Sequence, residues 1–311
     1  MASGASEMND FNGRTAVITG AASGLGLEAS RIAAREGMHL VMADVQADAL
    51  VRAEAEIRAL LSPRAELMTF RLDVSQADEV EAMGAATLER FGAPHVVFNN
   101  AGVAVGGLIW EHTANDWAWA LGVNLMGVAH GVRVFVPPML AASRADPGWE
   151  GHIVNTASMA GLVNLPNMGA YNVSKHAVVS LSETLYQDLA LVTDQISASV
   201  LCPFFVPTGI TASHRNRPAE MAAGRVTASQ AAAQAMIGKA VEAGKVSAAE
   251  VAALVFDALR EKRFYIYSHP KALASVRTRL EDVVQARNPS DPFAGKPEIG
   301  AVLRAALKKP R

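Results

Sequence analysis

Residues 19–26 read TGAASGLG, a glycine-rich turn at the end of the apolar run TAVITG. Gly20, Gly24 and Gly26 stand where the chain leaves a predicted strand and enters a segment with helical spacing, residues 25–36. Glycine allows a sharp turn, and main-chain N–H groups at a helix N-terminus attract phosphate. No Gly-Lys-Ser/Thr ending follows, which argues against a Walker-type loop and phosphoryl transfer. The turn is predicted to bind a dinucleotide diphosphate, and a plain loop is the alternative.

The rest of the chain repeats this alternation of short apolar runs and longer segments with helical spacing. The runs lack the inside/outside alternation of half-exposed strands, which is typical of a parallel sheet covered on both faces. We predict an α/β fold, a single-domain doubly wound (Rossmann) sheet of about seven strands with ligands beyond the strands' carboxyl ends. The further predicted strands are HLVMAD, ELMTFRLD, HVVFNN, HIVNTAS, ISASVLCP and RFYIYS, and the further helices cover 47–61, 76–91, 115–143 and 171–192.

The pattern divides the chain into three parts. Residues 1–12 have no basic segment followed by an apolar one, so they are interpreted as a flexible tail and not as a signal peptide. Residues 13–268 form the predicted domain, in which the alanine-rich stretch 209–246 is either a lid over an active site or a poorly packed insertion. A helix is predicted at 247–262, and the C-terminal extension, 269–311, has one predicted helix in KALASVRTRLEDVVQAR.

Composition narrows the class of function. The formal net charge of −2 over 311 residues leaves no basic footprint for nucleic acid. The most apolar run, HVVFNNAGVAVGGLIW, is too short for a membrane span of about 20 residues. The single cysteine, Cys202, excludes an intramolecular disulfide and fits a reducing compartment. These features predict a cytoplasmic protein that acts on a small molecule, with no metal site, nucleic acid or membrane partner.

Asp44 ends the second predicted strand, LVMAD. A carboxylate there can accept hydrogen bonds from both hydroxyls of an adenosine ribose, and it would repel a 2′-phosphate. Val45 and Ser23 occupy positions where a basic side chain could have held that phosphate. NAD is therefore favoured over NADP as cofactor, and the alternative is that Asp44 only starts the next turn.

The chain contains two Tyr-Lys pairs at a spacing of four, YNVSK at Tyr171–Lys175 and YSHPK at Tyr267–Lys271. Residues i and i+4 share a helix face, and the sequence after Tyr171 has helical spacing without Gly or Pro. Pro270 interrupts the second pair, because proline disfavours helical geometry in the residue before it. Thirteen residues before Tyr171, Ser158 follows a predicted strand, which brings a hydroxyl to the same cleft.

These three side chains predict acid–base chemistry. A phenol with a pKa of about 10 is a poor base at neutral pH, and a nearby ammonium and a cationic nicotinamide ring are expected to lower it by ~3 units. Tyr171 would then take the hydroxyl proton of an alcohol as hydride leaves its carbon, or return that proton in reverse. Ser158 would hydrogen-bond the reacting oxygen.

Together, TGAASGLG, the NNAG at 99–102, Ser158 and YNVSK closely resemble the short-chain dehydrogenase/reductase family over residues 12–210. The resemblance implies that Ser158, Tyr171 and Lys175 are catalytic and that Asn124 is the fourth member, which holds a water in a proton relay. It also implies the following cofactor-binding residues: Gly20, Ser23, Gly24, Leu25, Gly26, Asp44, Val45, Asp73, Val74, Asn100, Ala101, Gly102, Tyr171, Lys175, Pro203, Val206 and Thr208.

The sequence departs from the family pattern in two places. Phe204 stands where the family usually has glycine, which predicts a narrower, more apolar nicotinamide end. The chain also continues well past Tyr267, where many members stop and use that end to form tetramers. A homodimer built on the long helices from 115 and 171 is therefore expected, with a tetramer possible. The longer C-terminus resembles that of bacterial members oxidising benzylic alcohols in lignin-derived aryl ethers.

The preferred interpretation is an NAD-dependent dehydrogenase for an apolar or aromatic secondary alcohol, or its ketone in reverse. An NADPH-dependent carbonyl reductase of the same fold is the alternative, and a non-catalytic dinucleotide-binding protein is a third. Sugar-nucleotide epimerases share the Tyr-Lys pair but space their glycines differently. The candidate pocket residues are Val103, Val105, Met159, Leu162, Phe204, Phe205 and His214.

Overall fold

The structure is a computed structural model that describes Met8, residues 10–222 and residues 224–308. Of the predicted N-terminal tail, residues 1–7 and 9 lie outside the described residues. Met8 and Phe11, which belong to the same predicted segment, are buried in the core. The ring of Phe11 packs edge-on against Phe256, with ring centroids 5.4 Å apart.

The core of the fold is a parallel sheet of seven strands in the order β3-β2-β1-β4-β5-β6-β7. This is the predicted doubly wound fold, and each strand ends at the same edge of the sheet. The strands are β1 (Thr15–Thr19), β2 (His39–Asp44), β3 (Leu67–Arg71), β4 (Val96–Asn99), β5 (Gly151–Thr156), β6 (Ile196–Cys202) and β7 (Tyr265–Tyr267).

Helices cover both faces of the sheet, so the central strands are apolar on both sides. Successive residues of β1 alternate between the two cores, with Ala16 and Ile18 in one and Val17 in the other. One face carries α1 (Gly24–Arg35), α2 (Ala47–Arg58) and α8 (Ala248–Glu261); the other carries α3 (Ala77–Phe91), α4 (Ala114–Leu121), α5 (Gly127–Ala145) and α6 (Gly169–Val192).

The helix predicted at 115–143 is divided, which corrects the sequence prediction. A π-helical segment, Gly122–Met126, separates α4 from α5 and places Asn124 at the interruption. Periodicity did not reveal this break because the apolar pattern continues across it. By length and apolar composition Ala114–Ala145 could cross a membrane, although side chains of this stretch such as Trp119 and Phe135 pack in the core beside the sheet.

The region after β6 is more ordered than its composition predicts. Within the predicted lid, helix α7 (Ala228–Glu242) begins with a capping box, in which Thr227 and Gln230 each bond the other's backbone N–H. The C-terminal extension contains α9 (Leu273–Val284) and α10 (Pro297–Leu307), so the prediction of a single helix there is wrong. Pro297 begins α10, a position that proline tolerates because its missing N–H is not needed there.

Candidate active site

A cleft of about 1620 Å³ lies at the carboxyl ends of the strands. All the predicted cofactor-binding residues line it except Gly26, and so does Ser158. The sheet brings these residues together although they are distant in sequence, because most of them lie at or just after the carboxyl ends of its parallel strands, while α6 contributes Tyr171 and Lys175. The cleft therefore contains both the predicted dinucleotide site and the predicted catalytic site.

The glycine turn connects β1 to α1 and fits a phosphate group. Gly20 and Gly24 have positive φ angles, +64° and +54°, which glycine adopts without strain. Gly26 lies beneath the turn, where a Cβ would collide with the carbonyl oxygen of Gly20. Ser23 precedes α1 without capping it by its side chain, so the first N–H groups of the helix remain available for an anion.

Asp44 ends β2, and its buried carboxylate is held in place by two backbone donors. The amide of Ala22 donates to Oδ2 and the amide of Gln46 donates to Oδ1, each at 3.0 Å. Each carboxylate oxygen has further acceptor capacity. Asp44 therefore joins the glycine turn to β2 and can accept additional hydrogen bonds from ribose hydroxyls in the cleft.

The NNAG segment joins the ends of β1, β4 and β5. Asn100 donates from its side chain to the carbonyl of Thr19 at 3.1 Å and accepts from Thr156 at 3.3 Å. At Gly102, a Cβ would lie 3.3 Å from Asn124 Oδ1 and 3.5 Å from Lys175 Nζ. The absence of a side chain at Gly102 thus leaves open the space beside Asn124 Oδ1 and Lys175 Nζ.

The remaining predicted cofactor contacts follow β3 and β6. Asp73 accepts from the amide of Ser75 at 2.9 Å, and Val74 is buried beside it. After β6, Thr208 approaches the glycine turn: a Cβ on Gly24 would lie 3.3 Å from the Thr208 Cβ. Residues after β1 and β6 therefore face each other across a narrow part of the cleft.

Helix α6 presents Tyr171 and Lys175 to the cleft from one face, as the spacing predicted. The Lys175 ammonium lies 5.8 Å from the centre of the Tyr171 ring and donates to the carbonyl of Thr156 at 2.9 Å. Ser158, just after β5, hydrogen-bonds the phenol of Tyr171. Its hydroxyl also contacts the Pro203 carbonyl at 3.3 Å, which orients Ser158 between β5 and β6.

Burial dominates the electrostatics of this cluster. Burial raises the pKa of Tyr171, and the hydrogen bond from Ser158 only opposes that effect. Burial also lowers the pKa of Lys175 to about 8. The predicted lowering of the phenol pKa includes the charge of a bound nicotinamide ring, so it stays a prediction, whereas the groups of the protein alone raise that pKa.

Asn124 is fully buried and does not line the cleft. Its Oδ1 accepts from the amide of Val103 at 2.8 Å, and its Nδ2 donates to the Val103 carbonyl and to Ser174 Oγ, both at 3.0 Å. Ser174 in turn donates to the Tyr171 carbonyl at 2.8 Å. The Asn124 side chain thus connects the π-helical segment, the loop after β4 and the start of α6.

The second Tyr-Lys pair lies apart from the cleft. Tyr267 ends β7 and its ring stacks on Tyr265 at 5.9 Å, while Lys271 lies in the turn Pro270–Ala272 and is exposed. Burial raises the pKa of Tyr267 to about 12. Only the pair at 171 and 175 therefore shares a helix face in the cleft.

The apolar wall of the cleft contains Met159, Val103, Phe204 and Phe205 from the predicted pocket set. The rings of Phe204 and Phe205 lie 4.3 Å apart, and Phe204 also contacts His269 at 5.8 Å. Three predicted pocket residues lie elsewhere. Val105 and Leu162 pack in the core, and His214 is exposed outside the cleft.

Sequence reasoning missed several residues that line the cleft. Gln46 follows Asp44 closely, and Arg215 lies in the predicted lid, but neither belongs to a recognisable motif. The C-terminal extension also contributes a wall through Phe293, Ile299 and Leu303. Helical spacing in residues 297–307 could have revealed α10, although nothing in the sequence indicates that α10 packs near α7.

Comparisons with known proteins agree with this geometry. The family model for short chain dehydrogenase matches residues 14–219. A solved short chain dehydrogenase/reductase from Burkholderia phymatum, in complex with NAD, is 51% identical; the match covers 92% of this chain and 100% of that one, with a TM-score of 0.88.

Two curated relatives extend the match into the C-terminal region. The 1-deoxy-11-beta-hydroxypentalenate dehydrogenase of Streptomyces exfoliatus is 35% identical over 272 residues, 87% of this chain and 88% of the relative. The C alpha-dehydrogenase of Sphingobium sp. is 29% identical over 303 residues, 95% of this chain and 94% of the relative.

Proposed function

The chain belongs to the short-chain dehydrogenase/reductase family, and on that basis we propose that it is an NAD-dependent oxidoreductase interconverting a secondary alcohol and a ketone. It is an enzyme of the NAD(P)-dependent class that acts on CH–OH groups. The observation that carries the proposal is the cluster of Ser158, Tyr171 and Lys175 in the same cleft as the glycine turn.

In the proposed reaction Tyr171 is the general acid/base. During oxidation its phenolate accepts the substrate's hydroxyl proton as a hydride leaves the carbinol carbon, and during reduction its phenol returns a proton to the carbonyl oxygen. Bound NAD⁺ supplies the hydride acceptor and a cationic ring whose charge favours phenolate. Ser158 donates a hydrogen bond to the reacting oxygen, and Lys175 holds the nicotinamide ribose and adds positive charge beside the phenol.

Asn124 has a positioning role in this proposal. Its bonds to Val103 and Ser174 fix the backbone around Tyr171, and the family resemblance assigns it a water in a proton relay. A conservative change at this position should therefore alter the rate more than the affinity for cofactor.

The proposed preference for NAD over NADP rests on Asp44. Its carboxylate is fixed by two backbone donors and would accept the ribose hydroxyls, whereas a 2′-phosphate would meet a like charge. Val45 and Ser23 line the same part of the cleft and offer no positive charge. An NADPH-dependent carbonyl reductase with the same catalytic residues is the alternative, and cofactor titration distinguishes the two.

The proposed substrate is apolar or aromatic. Phe204 and Phe205 pack together on the wall near Pro203, which supports a narrow, apolar nicotinamide end. The relative named 1-deoxy-11-beta-hydroxypentalenate dehydrogenase has, by its name, a hydroxylated substrate, which supports an alcohol as the substrate here. A polar sugar substrate would find few partners on this wall.

We propose that the catalytic domain, the lid and the C-terminal extension all contribute to the site. Residues 13–268 form the catalytic domain, with 209–246 as a lid, and residues 269–311 form an extension that helps to wall the cleft. The start of α7 is tied to the loop before α4, because Ser229 donates to Glu111 at 2.7 Å and accepts from Leu108 N at 3.0 Å.

We also propose a cytoplasmic homodimer built on α5 and α6. Val173 and Tyr186 on α6 are 42% and 40% exposed, and Met126, which directly precedes α5, is 42% exposed; a second copy would cover these apolar side chains. Light scattering at two protein concentrations tests this assembly, with the dimer mass expected at both. A monomer at both concentrations would contradict it.

The experiment for the proposed function has two stages. Titration with NADH and NADPH measures the two dissociation constants, and an NAD-linked screen of aryl and alicyclic secondary alcohols then identifies turnover. We expect tighter NADH binding and activity on at least one apolar alcohol. Tight cofactor binding with no turnover on alcohols or ketones would instead favour the non-catalytic alternative.

A further inference from the structure

Arg215 reaches from the segment after β6 across the cofactor end of the cleft. Its Nε donates to the side-chain oxygen of Gln46 at 2.9 Å. Its Nη2 would lie 3.1 Å from a Cβ on Gly209, so the guanidinium lies against the start of the same segment. Arg215, Gln46 and Gly209 all line the cleft. The Arg215 side chain thus links the segment after β6 with the turn after β2.

This link completes a ring of contacts around the glycine turn. Ala22 donates to Asp44, and Asp44 accepts from the amide of Gln46, whose side chain meets Arg215. On the other side, Thr208 packs against Gly24, 3.3 Å from where a Cβ would stand. A dinucleotide diphosphate at the N-terminus of α1 would therefore lie inside the ring, and the Arg215–Gln46 bond is a side-chain contact that can open.

The charge of Arg215 is available within that ring. Among the described residues, no carboxylate pairs with Arg215, and its hydrogen bond to Gln46 uses only Nε. Arg217, two residues further on, differs sharply: it pairs with the buried Asp116 at 2.6 Å and lies 5.2 Å from the Trp119 ring. Arg217 thus anchors the segment to α4, while the terminal nitrogens of Arg215 remain free to bind an anion.

We infer that Arg215 binds the diphosphate of the dinucleotide from the side opposite the glycine turn and, through Gln46, holds the segment closed over it. The inference rests on the proposed function. A 2′-phosphate is the less suitable partner, because Gln46 lies two residues from Asp44, whose fixed carboxylate would repel it. Arg215 is then a cofactor-binding residue contributed by the lid, and it couples cofactor retention to closure of the segment.

The test compares three variants with the wild type in equilibrium titrations with NADH, NADPH and ADP-ribose, which carries the diphosphate without nicotinamide. Arg215→Met removes the charge, Gln46→Met removes the acceptor, and Arg64→Met is the control, since Arg64 is exposed and does not line the cleft. We expect Arg215→Met to weaken NADH and ADP-ribose binding about tenfold at low salt. The loss should shrink in 1 M salt, and Arg64→Met should have no effect.

Stopped-flow displacement of bound NADH tests the closure. Both Arg215→Met and Gln46→Met should accelerate dissociation, and the double variant should dissociate no faster than Arg215→Met, because the two side chains form one contact. The dissociation rate is independent of turnover, so the measurement does not require a known substrate.

The outcomes separate this inference from the proposed function. Unchanged affinities and dissociation rates in Arg215→Met, with NADH still bound, would overturn the inference alone. A larger loss for NADPH than for NADH would also overturn it, because Arg215 would then bind the 2′-phosphate. A wild-type protein that binds neither cofactor would overturn the proposed function and, with it, the inference.

Discussion

Replacing Lys175 with methionine should stabilise the fold while it abolishes turnover. Lys175 is 2% exposed, and burial lowers its pKa from 10.5 to about 8. A buried ammonium lacks the hydration that it has in the unfolded chain. Its burial therefore lowers the free energy of unfolding at neutral pH. Methionine has a similar length and no charge, so it removes this penalty together with the cation beside Tyr171.

The magnitude follows from the pKa of Lys175. A shift from 10.5 to about 8 corresponds to roughly 3 kcal/mol of unfavourable free energy at pH 7. The variant also loses the hydrogen bond to the Thr156 carbonyl, which offsets roughly 1–2 kcal/mol. The net expected gain in the free energy of unfolding is about 1–2 kcal/mol, a trade of stability against function at the catalytic site.

The pH dependence makes the assay specific to this residue. Because the folded pKa of Lys175 is depressed, the unfolded chain binds more protons than the folded protein between about pH 8 and 10.5. Wild-type stability relative to the variant therefore rises across that window, and the advantage of Lys175→Met should disappear by about pH 10. Urea unfolding of both proteins at pH 7 and pH 10 measures the difference in their free energies of unfolding. Other titrating groups affect both proteins alike, so their contributions to this difference largely cancel.

Lys239→Met is the matched control, since Lys239 is exposed on α7 and its replacement should change stability by less than about 0.5 kcal/mol. A Lys175→Met variant less stable than the wild type at pH 7 would show that burial of the Lys175 ammonium does not destabilise the fold. So would a stability difference that does not change between pH 7 and pH 10.

Four further predictions concern other parts of the structure. Asp44→Asn removes the charge and can keep only one of the two backbone hydrogen bonds, because the amide nitrogen cannot accept one; the ratio of NADPH to NADH dissociation constants should fall about tenfold, and an unchanged ratio would exclude the carboxylate as the discriminating group. Gly26→Ala should weaken NADH binding by at least about tenfold because its Cβ meets the Gly20 carbonyl, and unchanged NADH binding would show that the glycine turn tolerates a side chain; Gly238→Ala, in open space on α7, should instead stabilise the protein by about 0.5–1 kcal/mol. Asp116→Ala leaves Arg217 buried without its partner and should cost roughly 3 kcal/mol in urea unfolding, and a loss below about 1 kcal/mol would contradict the buried pair. Because burial raises the pKa of Tyr171, kcat/KM for alcohol oxidation should increase with pH above neutrality while ketone reduction declines, and parallel profiles in the two directions would contradict one shared acid/base.

The sequence predicted the sheet and the shared helix face of Tyr171 and Lys175 because both depend on local patterns. Apolar runs at the seven strands and the spacing of Tyr171 and Lys175 on one helix are properties of short segments. Asp44 was predictable for the same reason, since it directly ends a strand. The resemblance to the family added Asn124, which periodicity alone would have assigned to an ordinary helix.

The features that sequence reasoning missed depend on tertiary contacts. The contact between Arg215 and Gln46 joins residues 169 positions apart, and no local pattern predicts it. The π-helical segment at Gly122–Met126 lies within an unbroken apolar pattern. The burial that raises the pKa of Tyr171 was likewise not visible in the sequence, because it depends on the surrounding fold and not on the distance between the phenol and a lysine.

In the proposed reaction Tyr171 moves the proton as hydride is transferred. Single-turnover hydride transfer by Tyr171→Phe, combined with NADH titration of the same variant, measures this role. We expect NADH affinity within about twofold of the wild type and a rate of hydride transfer at least about 100-fold lower. A variant that binds NADH and transfers hydride at the wild-type rate would contradict this role.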